Sequence, residues 1–69
     1  MQSLSNTILF VVDRRPEISD VDLAYAIYGR REQQLVNGEC RHLANSGRLL
    51  RRPREDGILG NSLPTSAAE

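Results

Sequence analysis

The chain has 69 residues, with nine arginines, no lysine and nine acidic residues, so its formal net charge is zero. A chain this short buries only about 60% of its unfolded surface, which allows one small core and excludes a second domain. With three aromatic residues and no tryptophan, the core must be built from Leu, Ile, Val and Ala, and a large cofactor is not expected.

The charges are unevenly distributed along the chain. Residues 30–54 carry seven arginines and two acidic residues, whereas 1–29 carry two arginines and four acids, and 55–69 carry three acids. A local excess of five positive charges is typical of a surface that binds a polyanion. An ordinary solvated face is an equally good explanation from charge alone.

Cellular location is suggested by the single cysteine and by the N-terminal sequence. Cys40 cannot form an internal disulfide, and a small buried thiol fits a reducing compartment, so we expect a cytoplasmic protein. The longest apolar run, from Ile8 to Val12, is far too short to span a membrane, and the residues before it lack a basic signal-peptide region.

The first two predicted elements are helices. Asn6 to about Arg14 is apolar at five successive positions, with Ser5 or Asn6 available as N-cap; a buried strand is the alternative, and the lack of a nearby partner strand favours helix. The second helix begins after Ser19, with acidic residues in its first turn, and stops at Gly29.

The third predicted helix, from about Arg31 to Ser46, has two contrasting faces. Val36, Cys40 and Leu43 share one face at i, i+4 and i+7. The polar positions Gln34, Asn37, Gly38 and Arg41 turn away from it. Arginine pairs with guanine and Asn or Gln with adenine, so this side is suited to reading bases in a major groove.

The remainder predicts a hairpin and a tail. After Gly47, apolar segments at 49–52 and 58–63 flank Asp56-Gly57, a strong turn signal. Residues 64–69 have little to bury and are expected to fray.

Helix, helix-turn-helix and basic hairpin in this order resemble the winged helix-turn-helix superfamily. The likeness is strongest in VNGECRHLANSGRLLRR and covers roughly residues 5–63. It implies a mainly α fold with a small β-hairpin (α+β), in which three helices and a C-terminal wing form one domain over 1–63. The likeness is specific for fold and weak for function, because winged helices also serve as protein-interaction modules.

The resemblance further implies that helix 31–46 enters the major groove of double-stranded DNA while the wing contacts phosphates. The residues implied in DNA contact are Arg30, Arg31, Gln33, Gln34, Asn37, Arg41, Arg51, Arg52 and Arg54. Two positions depart from the pattern. Gly38 stands where the family often has a long polar side chain, and Leu35 points away from the apolar stripe.

Metal and catalytic chemistry are not expected. Zinc needs about four ligands, and Cys40 with His42 offers two. The acids Glu17, Asp20 and Asp22 lack the further ligands and glycine of an EF-hand, so helix-start acids explain them better. No nucleophile and base occur in a recognisable arrangement, so we expect no enzyme and no cofactor.

The sequence therefore predicts a small DNA-binding protein, either a transcriptional regulator or a DNA-associated accessory factor. One such module offers a small interface, so useful affinity calls for a homodimer, tandem sites or a protein partner. The alternative is a winged-helix protein-interaction module that docks through the Leu35 side or the wing and never reads DNA.

Overall fold

The computed structural model of the chain describes residues 3–64 and contains three helices and a three-stranded antiparallel sheet. The elements in chain order are α1 (Leu4–Arg14), β1 (Ile18–Ser19), α2 (Asp20–Tyr28), α3 (Gln33–Asn45), β2 (Leu50–Pro53) and β3 (Leu59–Ser62). Of the tail predicted over 64–69, all but Pro64 lies outside the described residues.

Helix α1 confirms the helical interpretation of the first apolar run. Ile8 and Val12, four residues apart, are buried on one face, so the run buries a stripe, not both faces of a strand. The predicted N-cap was wrong by two or three positions, because the Ser3 side chain accepts a hydrogen bond from the backbone N–H of Asn6.

Helix α2 begins and ends where the sequence predicted. The Ser19 hydroxyl accepts a hydrogen bond from the Asp22 backbone N–H at 3.1 Å, which satisfies one of the free donors at the helix start. Gly29 ends the helix in the left-handed conformation, with φ of 73°, and its N–H donates to the Tyr25 carbonyl. A short turn then leads into α3.

The predicted hairpin is confirmed as β2 and β3, which pair in antiparallel register from Leu50 opposite Ser62 to Pro53 opposite Leu59. Strand β1 was not predicted. It pairs with β3 on the other side, so the sheet order is β1-β3-β2. Two residues are too short a segment for hydrophobic alternation to be visible in a sequence.

The core lies between the three helices and one side of the sheet. Its buried apolar members are Ile8, Val12, Ile18, Leu23, Ala24, Val36, Cys40, Leu43 and Leu49. The predicted α3 stripe is confirmed, since all three of its residues are at most 1% exposed. Three helices with a small sheet match the predicted α+β class, and the arrangement is compatible with a winged helix fold.

Candidate nucleic-acid interface

The side of α3 that faces away from the core is exposed. Its centre is formed by residues at i, i+4, i+7 and i+11, namely Gln34, Gly38, Arg41 and Asn45, and we call these four the outer face of α3. Gln33 and Leu35 flank it and are also exposed. Two amides and one guanidinium thus share a solvent-facing helix surface about three turns long.

Glu39, the acidic residue of α3, does not lie on the outer face. The Ser5 hydroxyl of α1 donates a hydrogen bond to the Glu39 carboxylate, which places that carboxylate on the side of α3 that packs against α1. The outer face therefore has no carboxylate of its own to repel a phosphate.

Two arginines precede α3. Arg30 and Arg31 are both exposed, and the Arg30 side chain is paired with Glu32, with Nε and Oε2 2.9 Å apart. Because the Arg30 side chain is 73% exposed, this pair contributes little to stability.

Asn37 was predicted to face bases or their flanking phosphates, but its side-chain amide is hydrogen-bonded within the domain. Its Nδ2 donates to Oδ2 of Asp20 at 2.8 Å, and the residue is only partly exposed. One of its two amide hydrogens is thereby engaged within the domain.

Arg51 was predicted among the residues that contact DNA, but its guanidinium points into a buried polar network. Nη1 and Nη2 donate to the two carboxylate oxygens of Asp20 at 3.2 and 3.0 Å, and Nη1 also donates to Oδ1 of Asn61 at 3.2 Å. The side chain is 10% exposed, because a bidentate pair with a buried carboxylate satisfies its charge inside the domain. Phosphate contact by Arg51 would require this network to break.

Asn61 completes the network from β3. It is fully buried, and its Nδ2 donates to Oδ1 of Asp20 at 2.8 Å and to the Ile18 carbonyl at 2.9 Å. Burial alone would raise the pKa of Asp20, but hydrogen bonds from Asn61, Arg51 and Asn37 and the charge of Arg51 outweigh it and lower the pKa below its ordinary value. Asp20 is therefore an ionised carboxylate at neutral pH.

Arg52 and Arg54 of the hairpin differ in their surroundings. Arg52 is exposed. Arg54 donates to the Asp56 carboxylate at 2.6 Å and to the Glu17 carbonyl at 3.0 Å, and the hydrogen bond with Asp56 is the main reason its pKa is raised. Its guanidinium is held to the hairpin turn, so Arg52 is the more available phosphate-binding group of the two.

The close approach of the Glu17 backbone explains why Gly60 is a glycine. A Cβ at this position would lie 2.9 Å from the Glu17 carbonyl oxygen and 3.0 Å from the Arg54 side chain. No such contact requires a glycine at position 38, because a Cβ on Gly38 would meet nothing within 4 Å. Packing within the domain therefore does not require the glycine on the outer face of α3.

Cys40 lies in the core beneath the network. The pKa of its thiol is raised to about 12. Burial is the largest cause, and the nearby charge of Asp20 is the next. Such a thiol is neutral at physiological pH and a poor nucleophile.

Sequence reasoning missed the buried network. Asp20 was interpreted as a helix-start acid, which is correct for its position but not for its partners, and Asn61 was not singled out. Asn61 is followed by the polar Ser62 within β3, so the local sequence does not mark Asn61 as buried and does not indicate its partners.

Within residues 3–64, no three His, Cys, Asp or Glu side chains are grouped as metal ligands would be. None of the helices in that range is long and apolar enough to cross a membrane. Comparison of the chain with protein-family models, curated proteins and solved structures finds no match. The class is therefore defined by the fold alone, as a small α+β domain of three helices with a three-stranded antiparallel sheet.

Proposed function

We propose that this chain is a small winged helix-turn-helix domain that binds double-stranded DNA, as a transcriptional regulator or a DNA-associated accessory factor. The observation that carries the proposal is the outer face of α3, where Gln34, Arg41 and Asn45 are exposed and no carboxylate is present. Arginine pairs in bidentate fashion with guanine, and Asn and Gln pair in the same way with adenine.

Phosphate contacts are assigned to the exposed arginines on either side of this face. Arg30 and Arg31 precede α3, and Arg52 lies on the wing. Such contacts position a protein on the duplex and dominate its affinity, whereas contacts to base edges provide the specificity. Arg51 and Arg54 instead stabilise the wing and take no direct part in this proposal.

The proposed activity is binding, not catalysis, and it fits a cytoplasmic protein whose one thiol is buried. A single DNA-reading module buries about 600–1,000 Å² of its surface, so one copy should bind weakly and a second copy, a tandem site or a partner should increase affinity.

Amide shift mapping with a duplex of random sequence tests the proposal. DNA binding should perturb the amides of Gln34, Arg41, Asn45 and the Arg30–Arg31 turn, with the exposed α1 positions Asn6 and Asp13 serving as an internal control. Perturbation confined to α1, or none at low ionic strength, would exclude this mode of binding.

A further inference from the structure

A groove of about 450 Å³ runs between the start of α2, the first turns of α3 and the hairpin. The residues that line it and carry the argument are Val21, Asp22, Asn37, Ile58 and Leu59, with the Asp20–Arg51 pair behind them. This groove is distinct from the outer face of α3, which does not line it.

The apolar part of the groove is open to solvent. Ile58 is 50% exposed and Leu59 is 38% exposed, and both lie at the tip of the hairpin opposite Val21 of α2. Single exposed apolar residues are common, but two that line one concave surface beside the half-buried Val21 are typical of an interaction site.

The polar part of the groove offers hydrogen-bond acceptors. Because the Asp20 carboxylate can only accept, the Asn37 amide is oriented with Nδ2 toward it, and Oδ1 accepts no hydrogen bond from a described residue. Among residues 3–64 no buried side-chain oxygen or nitrogen lacks a partner, so this Oδ1 is open to solvent. Asp22 adds an exposed carboxylate.

The positive charges beside the groove are already neutralised. Arg51 is paired with Asp20, and Arg54 is paired with Asp56. The Asp22 carboxylate, which also lines the groove, has no ion-pair partner among residues 3–64, so the groove keeps one unpaired negative charge. A phosphate would be repelled here, whereas an ammonium or guanidinium would be attracted.

We propose that this groove docks a segment of a partner protein that presents a cationic side chain flanked by apolar ones. The cationic group donates to the Asp22 carboxylate and to Oδ1 of Asn37, while the apolar side chains cover Ile58, Leu59 and Val21. Charge complementarity and the exposed apolar pair together select this occupant over nucleic acid. The inference goes beyond DNA binding and does not depend on it, because the two surfaces use different residues.

The experiment uses the full chain and a short capped peptide that alternates leucine and arginine. Two matched peptides, one with glutamate in place of arginine and one with serine in place of leucine, separate the charge from the apolar contribution. Binding is followed by amide shift mapping and by calorimetry. The leucine–arginine peptide should perturb Val21, Asp22, Asn37, Ile58 and Leu59 and should bind most tightly of the three.

Two variants test the groove directly. Ile58→Ser and Asp22→Asn change exposed side chains, so both proteins should remain folded, and each should weaken peptide binding by about tenfold, which corresponds to ~1.4 kcal/mol. Arg41→Ala is the matched control and should leave peptide binding unchanged.

Three results would overturn the proposal. The first is that the serine peptide binds as tightly as the leucine–arginine peptide. The second is that the amide shifts are scattered over all acidic residues. The third is that duplex DNA perturbs the groove amides and the peptide does not. Loss of DNA binding in Arg41→Ala with peptide binding intact would support both surfaces. Failure of the peptide alone would contradict only the groove.

Discussion

Nη2 of Arg51 lies 3.0 Å from Oδ2 of Asp20, and the two side chains, 31 residues apart in sequence, are 10% and 9% exposed. This pair joins the hairpin to the start of α2, and Asn37 connects it to α3. The angle between the hairpin and α3 is therefore fixed by a buried ionic network as well as by the apolar core.

Removing one partner of this pair should destabilise the domain strongly. Asp20→Ala and Arg51→Ala should each cost about 3–5 kcal/mol of unfolding free energy, because each leaves a buried charge without its counterion. The double variant should cost less than the sum of the two. Urea unfolding in the presence of a stabilising osmolyte measures all three. The more exposed Arg30–Glu32 pair is the control and should show a coupling energy of about 0–1 kcal/mol. Equal coupling energies in the two pairs would contradict a stabilising role of the buried Asp20–Arg51 network.

The network should also make stability depend on pH. Since the pKa of Asp20 is lower in the folded state than in the unfolded chain, the folded state binds a proton less readily. The stabilisation is fully present above the unfolded carboxyl pKa of about 3.9 and is lost as the pH falls through the folded value. Unfolding free energy measured against pH should fall less steeply in this acidic range for Asp20→Asn than for the wild type. Superimposable slopes would mean that Asp20 is not the responsible group.

The register of α3 can be tested at Leu43, which is 1% exposed. Leu43→Ala should reduce the unfolding free energy by about 2–5 kcal/mol, because the substitution removes buried apolar surface and leaves a cavity. Leu35→Ala removes the same atoms from a side chain that is 56% exposed and should change stability by only about 0.5 kcal/mol. Similar thermal midpoints for the two variants would contradict the packing.

The helices, the hairpin and the apolar stripe of α3 could be predicted because each is encoded locally. Periodicity identifies Val36, Cys40 and Leu43, Ser19 and Gly29 mark the ends of α2, and Asp56-Gly57 marks the turn. The roles of Arg51 and Arg54 could not be predicted in this way. A guanidinium on a strand has the same sequence signature whether it faces solvent or a carboxylate 31 residues away, and only the assembled fold decides between them.

The cysteine provides a chemical test of the core. With its pKa raised to about 12 and its side chain buried, Cys40 should react slowly with a thiol reagent in the native protein and rapidly in denaturant. The reaction rate is followed by absorbance at neutral pH with and without urea. Immediate modification of the native protein would place the thiol at the surface.

The central claim is that the outer face of α3 binds DNA, and fluorescence anisotropy with a labelled duplex at several salt concentrations tests it most directly. Arg14 of α1 provides the matched control, because it is exposed and lies outside α3 and the wing. Arg41→Ala should weaken binding by about 1–3 kcal/mol and relax base preference if Arg41 contacts guanine. Arg52→Ala should weaken binding to all DNA sequences alike. It should also reduce the slope of the logarithm of the binding constant against the logarithm of salt concentration by about one. Arg14→Ala should change neither; equal effects of all three substitutions, or no salt-dependent binding by the wild type, would contradict the account.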